Sequence, residues 1–182
     1  KSEQGVTVLK KLVETADVVI QNFRPGAVER LGIGYDDLKA VNPQLIYVSI
    51  SGYGPDGPNS GHRVYDNVIQ AASGLASVQT DPRNGEPSLF RTLLCDKVTS
   101  LTAAQAISSA LYARAAGNAD GQHIVLAMLD AAVSFMWPDS GMDAVLLDDD
   151  ANRSPTIGQN YGITRLKDGF AAVSVVSDSE FR

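Results

Sequence analysis

At 182 residues, 44% hydrophobic and 20% charged, the chain carries enough apolar material for a substantial core; its length fits one domain, or one domain plus part of another. A formal net charge of −6 leaves no basic footprint and argues against nucleic-acid binding as the main activity, while leaving room for a local basic patch that holds an anionic cofactor. No window approaches the ~18–20 consecutive apolar residues of a membrane span, the opening KSEQGVTVLKKLVE lacks the apolar core of a signal peptide, and a single cysteine permits neither an internal disulfide nor a cysteine-based metal site. These features predict a soluble protein of the reducing cytoplasm.

The first predicted element is a helix over 5–15, with Val8, Leu9, Leu12 and Val13 on one face and no evident start signal. Residues 17–21 read as a short apolar strand, broken by Pro25 and Gly26 in NFRPG. A short helix over 27–31 ends at Gly32, another starts at Asp36 or Asp37 and is closed by NPQ, and LIYVSIS at 45–51 is a second buried strand. Strand, helical crossover, strand is the pattern of parallel pairing, in which loops leaving the carboxyl ends of strands carry ligand sites. Both NFRPG and GYGPDGP leave strands in that way.

Glycines 52, 54, 57 and 61, with Pro55 and Pro58, make the next stretch an exposed loop. A helix follows from Asp66 to near Gly74, then a turn-rich loop over 78–91. A long helix after Asp96 presents Val98, Leu101, Ala104, Ile107, Ala110 and Leu111 as its packing face and stops in GNADG. A strand over 122–128 and a helix over 130–137 come next. The acidic LLDDDANRSP reads as a linker, Lys167-Asp168-Gly169 as a hairpin or strand-initiating turn, and the last residues as a strand and a new helix. Both ends fall inside such patterns, so the chain reads as an interior piece of a longer protein.

Two neighbours at the head of the long helix compete for a chemical role. Cys95 follows two leucines, as a small buried residue does, and a nucleophilic thiol would want a histidine base that only His62 or His123 can supply. Asp96 stands where an N-cap belongs, its carboxylate accepting from first-turn amides. The same placement favours the anion and preorganises an oxygen nucleophile or base.

NFRPGAVERLGIGYDDLKAVNPQLIYVSISGYGPDGP, then RVYDNVIQAASGL, then an aspartate opening a small-residue helix that leads to GQHIVLAMLDA, together resemble the family III coenzyme A transferases, the group named after formyl-CoA and carnitine CoA transferases. The resemblance runs in order along essentially the whole chain, whose family members are considerably longer. It implies transfer of CoA between an acyl-CoA donor and a small carboxylic acid acceptor, with CoA as substrate, no permanently bound cofactor and no metal. Asp96 matches the family's catalytic aspartate, which attacks the thioester to form a mixed anhydride and then an aspartyl-CoA thioester. Asn22, Phe23, Arg24 and Arg30 match a region lining the CoA site, where arginine meets phosphate and Phe23 packs the adenine or pantetheine. Arg63, Tyr65 and Asp66 match the segment touching CoA near the thioester; taken singly they read as an exposed cation, a half-buried aromatic and a helix cap. Ser100 departs from a frequent family glycine, and Lys97 either stabilises the anion or points to water.

Alpha-methylacyl-CoA racemases share this scaffold but pair the aspartate with a histidine in Gly-His-Asp. Here that segment is Val64-Tyr65-Asp66, and a tyrosine with an ordinary pKa of about 10 is a poor proton shuttle at neutral pH. A non-catalytic CoA-binding homologue is the remaining alternative, against which the retained Asp96 argues. The expected fold is α/β, a parallel Rossmann-like sheet with flanking helices plus the start of a smaller α+β domain. Residues 1–147 belong to the large CoA-binding domain, 148–160 to a linker and 161–182 to the start of the small domain. The resemblance further implies an interlocked homodimer, without membrane or nucleic-acid partners.

Overall fold

The computed structural model describes residues 2–81, 83–141, 145–148, 151, 158 and 161–173. They fall into two compact units, 1–135 and 136–182.

In the first unit, α1 (Glu3–Val13) begins at Ser2, whose hydroxyl accepts the Gly5 N–H at 3.1 Å; this is the start signal that the sequence reading lacked. β1 (Val18–Gln21) follows. A single turn of 3₁₀ helix at Glu29–Leu31 ends on Gly32, at φ 69°, a left-handed conformation that glycine adopts without a Cβ clash. Then come α2 (Tyr35–Lys39), β2 (Ile46–Ser51), α3 (Asp66–Ala72) and a short α4 (Leu75–Val78) beyond Gly74. The 22-residue α5 (Leu94–Ala115), β3 (His123–Ala127) and α6 (Met128–Ser140) complete the order, α6 running past the division between the units.

The strands form one parallel sheet in the order β1-β2-β3, with Val18 opposite Ile46 and Tyr47 opposite His123. Alternation along β2 sends its side chains to two different cores. Tyr47 joins Val13, Leu38 and Leu45 on the side of α1 and α2, while Ile46 and Val48 meet Ala110 of α5 on the other. Helices on both faces explain why the central strand is apolar throughout its first half. The α/β parallel architecture is the expected one.

The packing face of α5 keeps Val98, Ile107, Ala110 and Leu111 of the expected set and departs from it at two positions. Cys95, Val98, Thr99, Ala103 and Ala110 are buried, whereas Leu101 and Ala104 are exposed. Repeated three-residue steps such as 98, 101, 104 fall short of the ~3.6 residues per turn and rotate off the contact line, which mixed steps of three and four follow.

In the second unit, β4 (Ile163–Arg165) and β5 (Phe170–Ala172) pair antiparallel around the 167–169 turn, closed by the Leu166 N–H to the Gly169 carbonyl at 2.9 Å. Most of the expected linker at 148–160, and the expected final helix, lie outside the described residues.

Candidate active site

All three parallel strands point their carboxyl ends at one cavity of about 430 Å³. Asn22 follows β1, Ser51 and Gly52 end β2, Met128 follows β3, and Asp96 with Thr99 and Ser100 closes the far wall from α5. Gly52 is obligatory there, because a β-carbon would overlap the Val64 side chain that lines the same wall. A second, adjoining cavity of about 230 Å³ shares Asn22, Gly52 and Tyr65 and adds Phe23, Arg24 and Arg63. Phe23 is 59% exposed, and its N–H donates to the Gln21 side chain at 2.8 Å, which shapes the loop after β1.

Seven of the eight site residues expected from the sequence therefore surround these two cavities. Arg30 does not. It lines a separate cavity with Glu3, Val6 and Lys10 of α1.

Asp96 lies within α5 rather than before it. The helix begins at Leu94, the N-cap position is Leu93, and no side chain of that residue caps it. The expected capping role of Asp96 is filled instead by Asp66, whose Oδ2 accepts the Asp96 N–H at 2.9 Å from a position 30 residues earlier. Asp96 is thereby left with its carboxylate exposed on the cavity, while Cys95 beside it is fully buried. Burial, and the nearby carboxylates of Asp66 and Asp96, push the Cys95 thiol up to about 11, which keeps it protonated and unreactive. Partial desolvation and the Asp66 charge hold Asp96 above the ordinary carboxylate value, making its anion more basic than a free aspartate.

Lys97 does not reach back to Asp96; its ammonium donates to Thr92 Oγ1 at 2.6 Å. Ser100 donates to the Asp96 carbonyl at 2.8 Å and lines the cavity where the resemblance leads one to expect glycine. Neither histidine lines the Asp96 cavity. His62 belongs to the adjoining one, and His123 bonds Ser49 at 2.9 Å and stacks on Tyr35.

Sequence reading missed Gln70. It is 1% exposed, accepts the Phe90 N–H at 2.9 Å and donates toward Thr92 O at 3.1 Å, binding α3 to the segment that leads into α5. A glutamine one turn after Asp66 was the available signal, since residues four apart on a helix are neighbours.

The parallel sheet thus sets an exposed carboxylate in the first turn of α5 across a cavity from its strand ends, a place where ligands of open α/β sheets commonly bind and where a carboxylate can act as an oxygen nucleophile or base. The chain belongs to CoA-transferase family III, which it matches over residues 1–182. It is 34% identical to a succinate–glutarate CoA-transferase of Agrobacterium fabrum over 100% of this chain and 46% of that protein. It is 37% identical to a formyl-CoA:oxalate CoA-transferase of Rhodopseudomonas palustris over 74% of this chain and 31% of that one. The fold matches the crystal structure of a CAIB/BAIF family protein from Brucella suis with a TM-score of 0.82 and 33% identity, covering 99% of this chain and 48% of the other. The chain thus spans less than half the length of these relatives.

Proposed function

We propose that the full-length protein transfers CoA between an acyl-CoA donor and a carboxylic acid acceptor, with Asp96 as covalent nucleophile. The observation that carries this reading is the exposed Asp96 carboxylate on the strand-end cavity, next to a second cavity lined by Phe23, Arg24 and Arg63. The arginines suit the phosphates of CoA, Phe23 suits adenine or pantetheine, and Asn22 and Tyr65, which line both cavities, suit the pantetheine thioester end. Arg30 would contact CoA only at a point outside these cavities. Relatives named for succinate, glutarate and oxalate support a small, acidic acceptor.

The chemistry runs as four exchanges at one carboxylate. An Asp96 oxygen attacks the thioester carbonyl, expelling CoA thiolate and leaving a mixed anhydride. The thiolate attacks the Asp96 carbonyl carbon, releasing the donor acid and forming aspartyl-CoA thioester. The acceptor carboxylate then attacks that carbon and expels the thiolate again. Thiolate attack on the acceptor's acyl carbon frees the new acyl-CoA and restores Asp96. Because donor, acceptor and aspartate are all carboxylates of similar basicity, the donor, aspartyl and product thioesters lie close in energy, and each anhydride, formed uphill from a thioester, is discharged by the thiolate it released. The absence of histidine from the Asp96 cavity weighs against racemisation by a histidine–aspartate pair. A cytoplasmic homodimer belongs to the same proposal.

The test is incubation of the full-length protein with a panel of acyl-CoA donors and acids, followed by mass spectrometry. CoA transfer is expected, with hydroxylamine or borohydride trapping modification at Asp96 and not at Cys95. Alpha-proton exchange of a 2-methylacyl-CoA in deuterated water, dependent on Asp96 and without CoA transfer, would overturn the reading in favour of a racemase.

A further inference from the structure

We propose that Asp66 and Gln70 form a buried clamp that positions Asp96, so that both act as positioning residues and Asp66 is not primarily a ligand of CoA. The inference rests on Asp96 being the nucleophile. Asp66 is 5% exposed and Gln70 1%. The orientation of the Gln70 amide is dictated by its neighbours. The Phe90 N–H donates to Oε1 at 2.9 Å, which turns Nε2 toward Asp66 Oδ1 and toward the carbonyls of Thr92 at 3.1 Å and Phe90 at 3.4 Å. Asp66 Oδ2 then takes the Asp96 N–H at 2.9 Å. Both oxygens of Asp66 thus face N–H donors, an environment that only an acceptor on both sides satisfies, and a carboxylate anion is one.

The clamp spans three segments of the chain and does two things. It ties α3 to residues 90–92 and to the first turn of α5, setting the backbone from which the Asp96 side chain projects. It also places a fixed negative charge beside the nucleophile. The other ionisable groups near Asp96 are Cys95 and Lys97 on its own helix, Arg91 in the preceding segment and Tyr65 before α3, with the neutral polar side chains of Asn22, Ser51, Asn67, Thr92, Thr99 and Ser100 lining the same cavities. Cys95 is held protonated and Lys97 is turned to Thr92, so Asp66 is the near anion whose charge adds to partial desolvation in keeping the Asp96 carboxylate basic.

The donor–acceptor pattern supplies its own test. In the full-length protein, Asp66→Asn sets an amide N–H against a donor on at least one side, and Gln70→Glu sets a carboxylate against Asp66. The double variant Asp66→Asn/Gln70→Glu restores one donor–acceptor pair between the two positions. Each single variant is expected to lower kcat by about ten-fold or more with the acyl-CoA KM within about two-fold. The double variant should recover part of that loss. Asp66→Asn should also move the acid limb of the kcat profile to lower pH and speed hydrogen exchange at the Asp96 amide. Gln70→Met, which keeps the side-chain volume, carries the same kcat test if the polar swaps fail to fold. Native kcat in the single variants, a raised KM with unchanged kcat, or a double variant equal to the product of the singles would each overturn the clamp. Asp96→Asn, assayed in parallel, separates the two readings. If it stays active the nucleophile assignment fails, whereas if it is inactive while the clamp variants keep native kcat, only the clamp fails.

Discussion

The heads of α1 and α5 solve the same problem in different ways. Both helices begin with amides that have no partner inside the helix. At α1 the answer is local: Ser2 caps Gly5 three residues on, at an exposed site. At α5 the residue in the cap position, Leu93, supplies no side-chain bond, and the acceptor comes from Asp66 on another helix. A local cap serves its own turn and nothing more. A remote cap fastens two helices together and leaves the carboxylate already inside the turn, Asp96, with no capping duty. The difference teaches that a helix start can be stabilised by one aspartate while a second, equally well placed by sequence, is left free at a cavity.

The sharpest way to break this comparison is Asp96→Asn. Transfer is expected to fall by roughly three orders of magnitude or more, since the amide has no anionic oxygen to attack a thioester, while CoA binding and the fold survive. The sign of its stability effect follows from the raised pKa. The folded state binds a proton to Asp96 more readily than the unfolded chain does, so the ionised side chain costs stability at neutral pH. Asp96→Asn should therefore be slightly more stable than the native protein at pH 7 in urea denaturation, with the difference vanishing as pH falls below the ordinary aspartate value. A cap would show the opposite sign.

Next in size is Asp66→Ala, which leaves the Asp96 N–H and one Gln70 donor direction unsatisfied; a loss of about 2–3 kcal/mol in the same denaturation experiment is expected. Cys95→Ala opens a small gap under α5 and should cost about 1 kcal/mol while retaining transfer activity, and native Cys95 should resist alkylation until the protein unfolds. Ser2→Ala is the smallest change, about 0.5–1 kcal/mol at most and confined to amide exchange in the first turn of α1, with transfer rates untouched. If Ser2→Ala and Asp66→Ala cost the same, the distinction between local and remote capping would collapse.

Much of the architecture was legible in the sequence because its causes are local. The apolar runs at 17–21 and 45–51, each closed by glycine and proline, define strands whose parallel pairing follows from the helical crossover between them. Gly32 ends its short helix for a reason of backbone geometry alone. The family motifs likewise brought Asn22, Phe23, Arg24, Arg63, Tyr65, Asp66 and Asp96 onto one list, and the strand-end cavities do gather them. Tertiary structure alone decided how these residues divide the work. Arg24 and Arg30 sit close in sequence yet line different cavities, because the turn between them carries the chain away toward α1. Asp96 was an N-cap by pattern and became the third residue of its helix because Asp66, 30 positions away, takes the cap's role. Propensity and periodicity record what a residue does to its own turn; a hydrogen bond between helices depends on where packing against the sheet brings them, and that is settled only when the chain has closed on itself.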